Sequence, residues 1–409
     1  MLNAATLDFI RDHVNDDVRQ LALGRVPDDV NLREALTQIE GRQLSVRKLP
    51  ACAATDGFRF PPRLSLEQCS SEATAAYKRT IVARLISTLP PEEAKEEGLS
   101  FIDLTGGLGI DFMAIAPLFR RAVYVERNPE LCDLARHNLP LMGCPHAEVL
   151  CLEVTSGDSS CFPQHFSCCF IDPARRDAAG RKVALIEDCT PDVCAMQDQL
   201  RAHAQFTLIK LSPMLDLTAA LRVIKGITEA HVVCVDGECK ELLLVMSSLS
   251  TADEPMIHCT NLPNGTPFSF RISEEAMTIP QFAAQLGDYV YEPHAGILKA
   301  GAFKTICQRF PVQKLSSAAH LYTANQLLRD FPGRVWHIED SSTFNKKELK
   351  RLLAGIDAAE LTVRGFPMSV AMLRKQLHLR DGGSVHFIAT TLADNTKILL
   401  KVSPPNSKL

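Results

Sequence analysis

Residues 101–111 read Phe-Ile-Asp-Leu-Thr-Gly-Gly-Leu-Gly-Ile-Asp. Asp103 stands just before a turn built on Gly106, Gly107 and Gly109. Without Cβ atoms, these residues let the backbone take φ > 0 and let a ligand approach it. Backbone N–H groups at the start of a following helix suit a polar or anionic ligand. A carboxylate at Asp103 can accept hydrogen bonds from the loop or from a ligand ammonium. Glu126 lies 23 residues later and closes the run Val-Tyr-Val-Glu, followed by Arg127. An acid at that point can accept both hydroxyls of a ribose, and the offset is that of one βαβ unit. The loop does not satisfy the dinucleotide pattern G-x-G-x-x-G. The alternative, a tight turn with no ligand, is weakened by the coincidence with Glu126.

Further along, Glu153 and Asp158 compete as an acid near the end of a third strand. Phe170-Ile171-Asp172-Pro173-Ala174-Arg175-Arg176-Asp177 follows a fourth. Asp172 and Pro173 are placed to hold an acceptor group. Arg175 can stack on a base or, with Arg176, bind a phosphate. Lys210, Ser212 and Asp216 follow a fifth strand and can shape the same pocket. Among 14 cysteines there is no Cys-x-x-Cys pair, and Cys144 with His146 lacks a second half-site, so no metal is expected. The thiols read as reduced side chains of a cytoplasmic protein.

These residues must be carried by alternating strands and helices. The expected strands are 100–104, 122–126, 147–153, 168–172, 206–210, 231–236 and 241–247. Helical segments separate the first six, and only Gly237–Lys240 separates the last pair, which is hairpin spacing. Before the glycine strand comes a helix-like run, Ala73–Leu89, which Ser70 or Ser71 can cap. Residues 1–66 read as a small helical domain with helices around Leu7–Val14 and Leu32–Glu40, then an irregular Pro-rich stretch, 49–66. Residues 67–250 form the α/β domain, 248–267 a polar linker, 268–325 a small module and 326–409 an α+β domain. No apolar run is long enough to span a bilayer, and the start lacks a signal-peptide pattern. Net charge is −4, yet residues 331–409 hold 12 Lys/Arg against 7 Asp/Glu, leaving −9 for the rest. A basic C-terminal module on an acidic body fits an anionic partner such as nucleic acid; a solvated charged surface fits the same counts.

The glycine loop, Glu126 and the Asp172 turn resemble motifs I, II and IV of class I S-adenosylmethionine (SAM) methyltransferases, with Thr105 where motif I often has its first glycine. The terminal hairpin resembles their Rossmann-like seven-stranded sheet, order 3-2-1-4-5-7-6. The stretches Glu67–Thr74, Asp103–Asp111, Asp172–Asp177, Lys299–Phe303 and Arg364-Gly365-Phe366-Pro367 resemble a bacterial group of such enzymes assigned to RNA, with a ferredoxin-like module and a THUMP-like C-terminal domain. The resemblance implies SAM as cofactor. Gln68, Ser70 and Thr74 would lie near its methionyl end, with Asp103, Thr105, the glycines, Asp111, Glu126, Arg127, Glu153 and Asp172 around the rest. It further implies tRNA or rRNA as substrate, with Arg364, Arg374, Lys375 and Arg380 contacting phosphates. Where amine methyltransferases have Asp-Pro-Pro-aromatic, this chain has Ala174 and Arg175, which leaves the acceptor atom open. The Ser212-Pro213 loop lacks the cysteine of RNA 5-methyluridine enzymes, so covalent C5 methylation is disfavoured. Two rivals stand beside this reading: a methyltransferase of protein or small molecules, and a catalytically silent RNA-binding protein that keeps the fold.

Overall fold

The structure is a computed structural model and describes residues 2–90, 98–157, 162, 164–175, 185–249 and 254–405. Its strands are β1 (Ser100–Asp103), β2 (Arg121–Glu126), β3 (Glu148–Cys151), β4 (Phe166–Ile171), β5 (Ala204–Leu211), β6 (Ile227–Val235), β7 (Glu238–Ser247) and β8 (Met256–Leu262). They continue as β9 (Phe268–Phe270), β10 (Tyr289–Pro293), β11 (Gln313–Lys314), β12 (Tyr322–Ala324), β13 (Gly333–Thr343), β14 (Glu360–Val363), β15 (His386–Thr391) and β16 (Lys397–Ser403). Two compact units result: residues 1–230 with 241–253, and residues 231–240 with 254–409.

In the first unit β1 is buried along its whole length, because it is flanked by strands on both edges and covered by helices. It pairs in parallel with β2 and with β4, β2 pairs with β3, and β4 with β5. β7 then lies antiparallel to β5. The order 3-2-1-4-5-7-6 is that expected from the sequence. A parallel sheet covered on both faces needs continuous apolar strands, and Val123–Val125 and Cys168–Ile171 supply them. The helix Glu72–Ile86 leads into β1, with the Ser71 hydroxyl accepting from the Thr74 N–H at 3.2 Å as its cap.

Two expectations about the N-terminal region are corrected. The helix beginning at Leu32 runs on to Lys48, past Gly41. That glycine is a packing position: a Cβ there would meet Phe60 at 2.3 Å. Residues 49–66 are not wholly irregular, since Pro50–Ala54 and Arg63–Gln68 are helical. The extended segment between them is held by side-chain amides that imitate a strand partner. Gln38 bonds both backbone groups of Phe60 at 2.8–2.9 Å, and Asn138 does the same for Arg59.

In the second unit the β6–β7 turn is only Asp236-Gly237, both with positive φ, which is the two-residue hairpin chemistry. β7 therefore starts earlier than expected. The stretch 248–267 is not merely a linker: β8 pairs with β9 and continues the ladder beside β6. Its polar residues mask a period-two pattern in which Ile257 and Cys259 are buried. The second sheet has the order β11-β12-β10-β13-β16-β15-β14. β13 pairs with β10 on one side and β16 on the other, so the small module and the α+β module share one sheet. The helices Lys346–Leu352 and Val370–Leu377 close a core containing Leu352, Leu361, Leu373, Leu377 and Phe387. Among the described residues no helix is long and apolar enough to cross a membrane.

Candidate active site

The glycine loop follows β1 directly. The N–H groups of Thr105 and Gly107 donate to Asp103 Oδ1 and Glu126 Oε2, both at 2.9 Å. Those of Gly106 and Gly109 donate to Val125 O and Gly106 O, both at 2.8 Å. Four N–H groups of the loop are thus spent within the chain, and the helix that follows, Ile110–Ile115, is short.

The glycines differ in purpose. Gly106 makes room for the protein itself, since a Cβ would lie 2.1 Å from the Tyr124 ring. That ring is fully buried, edge-on to Phe112, and its hydroxyl donates to Gly107 O. Gly107 has φ +56°, and a Cβ there would meet only Thr105 O, at an ordinary 3.8 Å, so its backbone is less crowded than that of Gly106.

What the site concentrates is carboxylate. Asp103 is buried at the end of β1. Burial pushes its carboxyl well above the ordinary range; the Thr105 N–H opposes this, and Asp111, Asp172 and Glu126 add to it. Asp172 follows β4, and its N–H donates to Thr105 Oγ1 at 2.7 Å. That bond is the role of the threonine at a frequent glycine position: it ties the β1 loop to the β4 turn. The Asp172 carboxylate pairs with Lys210 from β5. Burial works against the charged form of Lys210, but Asp172, Asp111 and Glu241 outweigh it and raise its pKa. Glu126 ends β2 and accepts from both Gly107 N and Asn128 N, the latter at 2.8 Å.

Beneath the loop lies a group that motif spacing missed. Lys78, with no exposed surface, sits 2.9 Å from Asp111 Oδ1 and 2.8 Å from Glu241 Oε2, and donates to Ser70 Oγ at 3.2 Å. Ser70 Oγ donates to Asp111 Oδ2 at 2.6 Å. Burial raises the Asp111 carboxyl, but Lys78, Lys210 and the Ser70 hydroxyl outweigh it, and the net direction is below the ordinary range. A signal existed for Lys78: it occupies the apolar stripe Ala75, Lys78, Ile81, Val82, Leu85, where a lysine must be paired.

Other expected residues stand apart from this cluster. Thr74 is buried, and its hydroxyl donates to Ser71 O at 3.1 Å. Gln68 is exposed at the end of its helix. Glu153 lies beyond β3 and pairs with Arg127 at 3.0 Å on the surface. Pro173 is buried, Arg175 partly so, and Ser212 starts the turn to Leu215. Arg176 and Asp158 fall outside the described residues. In the second unit Arg364 pairs with Glu292, and Arg374 donates to Ala359 O and Arg380 O and pairs with Asp381 at 2.5 Å. Arg374 therefore staples a loop, whereas Lys375 and Arg380 are exposed.

A pyrophosphate needs free N–H groups and positive charge; this site has spent four of its loop N–H groups and gathers carboxylates around two lysines. It suits a cationic adenosyl ligand, and SAM carries both a sulfonium and an ammonium. A sheet of order 3-2-1-4-5-7-6 with such a site is the arrangement of class I SAM-dependent methyltransferases. Residues 289–332 match a family model described as a ferredoxin-like domain, and residues 333–404 one described as THUMP domain-like. An uncharacterized S-adenosylmethionine-dependent methyltransferase of Mycobacterium tuberculosis (strain H37Rv) is 23% identical over 293 residues, 71% of this chain and 76% of its own. A crystal structure titled as a "putative methyltransferase" from Porphyromonas gingivalis W83 is 35% identical, covers 99% of this chain and 100% of its own, and superposes with a TM-score of 0.84. The chain belongs to this family of SAM-dependent methyltransferases with ferredoxin-like and THUMP-like modules.

Proposed function

We propose that this methyltransferase modifies a base in structured RNA, tRNA or rRNA. The observation that carries the reading is the C-terminal module: residues 333–404 match a THUMP-like model, and residues 331–409 have a charge balance of +5 on an otherwise acidic chain. THUMP-type domains present structured RNA to an active site. With Arg364 and Arg374 engaged inside the fold, the phosphate contacts fall to Lys375, Arg380 and the exposed face of Lys346, Lys347 and Lys350.

SAM, when bound, supplies an already activated methyl group, so the protein's work is alignment and charge. The residues present fit it. Glu126, at the end of β2, would accept the ribose hydroxyls, and Gly107 leaves the backbone approachable. Asp103 and Asp111 would face its positive charge. Glu153 is assigned to the adenine edge, with Arg127 holding it. At the acceptor side Lys210 occupies Asp172 Oδ2, so Oδ1 is the atom to which an acceptor N–H would donate. Pro173 would wall the acceptor side, and Arg175 would stack on the base or meet its phosphate. The Lys210 ammonium pairs with the Asp172 carboxylate, so Asp172 would serve to hold and orient the acceptor.

The test is transfer of tritiated methyl from SAM into total RNA, protein and small-molecule fractions of a strain lacking the gene, followed by nucleoside mass spectrometry. Label in RNA, abolished by Asp172→Ala, is expected. Label confined to protein or small molecules would refute the RNA reading. No transfer into any fraction, with SAM binding intact, would favour the silent RNA-binding alternative.

A further inference from the structure

We propose that Lys78 is a positioning residue of the cofactor site: with Ser70 it clamps both oxygens of Asp111 and so fixes the helix start that follows the glycine loop. The inference rests on the assignment of SAM to this site and adds Lys78, which no motif contains.

Lys78 Nζ has three proton donors and three oxygen neighbours: Ser70 Oγ at 3.2 Å, Asp111 Oδ1 at 2.9 Å and Glu241 Oε2 at 2.8 Å. Ser70 sends its own proton to Asp111 Oδ2 at 2.6 Å. Asp111 is thus gripped at two points, both from the chain immediately before β1. Asp111 lies in the first turn after Gly109, and Met113 N bonds back to Gly109 O at 2.8 Å. Whatever holds Asp111 therefore holds the exit of the loop. A lysine serving fold stability alone needs no such arrangement, because a buried ion pair is commonly no better than packed apolar residues of similar volume. The rival account is that Lys78 is simply the counterion of Glu241.

The two accounts separate in the full-length protein with two measurements, thermal unfolding and calorimetric titration with SAM. Lys78→Met should lower the melting temperature and weaken SAM about tenfold or more, the scale of a lost charge-assisted hydrogen bond. The double variant Lys78→Met/Glu241→Gln removes both charges of the second pair. It should return the part of the melting temperature that Glu241 lost, while SAM stays about tenfold weak. Recovery of affinity along with stability would overturn the clamp and leave Lys78 as a counterion. If neither variant folds, Ser70→Ala opens the other jaw without stranding a charge. It should weaken SAM severalfold and lower the melting temperature less than Lys78→Met does, and Ser70→Thr should restore the affinity; unaltered affinity in Ser70→Ala would overturn the proposal. Failure of the unmodified protein to bind SAM would remove the cofactor assignment and the clamp with it.

Discussion

Glu126→Gln separates two tasks of one side chain. Its carboxylate accepts from Gly107 N at 2.9 Å and Asn128 N at 2.8 Å, so it joins the glycine loop to the start of the helix Pro129–Leu141. Glutamine keeps the shape but turns one acceptor oxygen into a donor, and one of the two N–H groups then faces an NH2. A hydrogen bond to a charged acceptor contributes about 1.5–3 kcal/mol. Part of that loss is felt without ligand, as a loop less well ordered. The ribose hydroxyls, which need an acceptor, lose one as well. We expect SAM affinity to fall by about 10- to 100-fold, since about 1.4 kcal/mol is tenfold. Calorimetric titration with SAM reads the change, and a parallel melting curve reports what the loop loses by itself. Glu126→Asp, which keeps the charge but falls a methylene short, should lie between glutamine and the wild type. Glu126→Gln binding SAM within about twofold of wild type would refute the assignment of Glu126 to the adenosyl group, because even one lost bond exceeds that.

The remaining predictions concern charge, packing and the RNA face. A carboxyl held above its unfolded range adds stability below the unfolded pKa and loses it as pH rises through the folded value, so Asp103→Asn should raise the melting temperature, and more at pH 8 than at pH 5. A cation bound near Asp103 lowers its pKa, so SAM uptake should release protons; heats identical in buffers of different ionisation enthalpy would contradict this. Gly106→Ala drives a Cβ into the Tyr124 ring and should cost about 1–3 kcal/mol, or roughly 2–4 °C of melting temperature per kcal/mol, with SAM binding lost; a melting curve like the wild type's would show that the loop yields. Lys375→Ala should reduce the slope of log RNA affinity against log salt by about one at an unchanged melting temperature. Arg374→Ala should instead lower stability, because the carbonyls of Ala359 and Arg380 lose their donor; an unshifted melting temperature would return Arg374 to the RNA face.

Local features were legible in the sequence. The offset from Asp103 to Glu126 and the run of strands follow from spacing and period alone, and the structure places them as expected. What was not legible depends on partners distant along the chain. Lys78 and Glu241 are 163 residues apart, and Arg364 and Glu292 are 72 apart. Arg364 and Glu292 look like surface charges until packing joins them, and the apolar stripe around Lys78 demands a partner without saying which. Gly106 shows the same limit inside a motif. The glycine was expected to admit a ligand, yet the atom it omits would collide with Tyr124, a residue on the neighbouring strand. Within one motif, then, Gly106 answers to the core, and Gly107 is the glycine proposed to answer to the ligand. Asp103 reads the same way: a carboxylate forced above its range by burial is a cost to the folded chain unless a cation arrives to share the site. The sequence keeps an acid where stability alone would favour an amide, which is what the proposed contact of Asp103 with a positively charged cofactor would require.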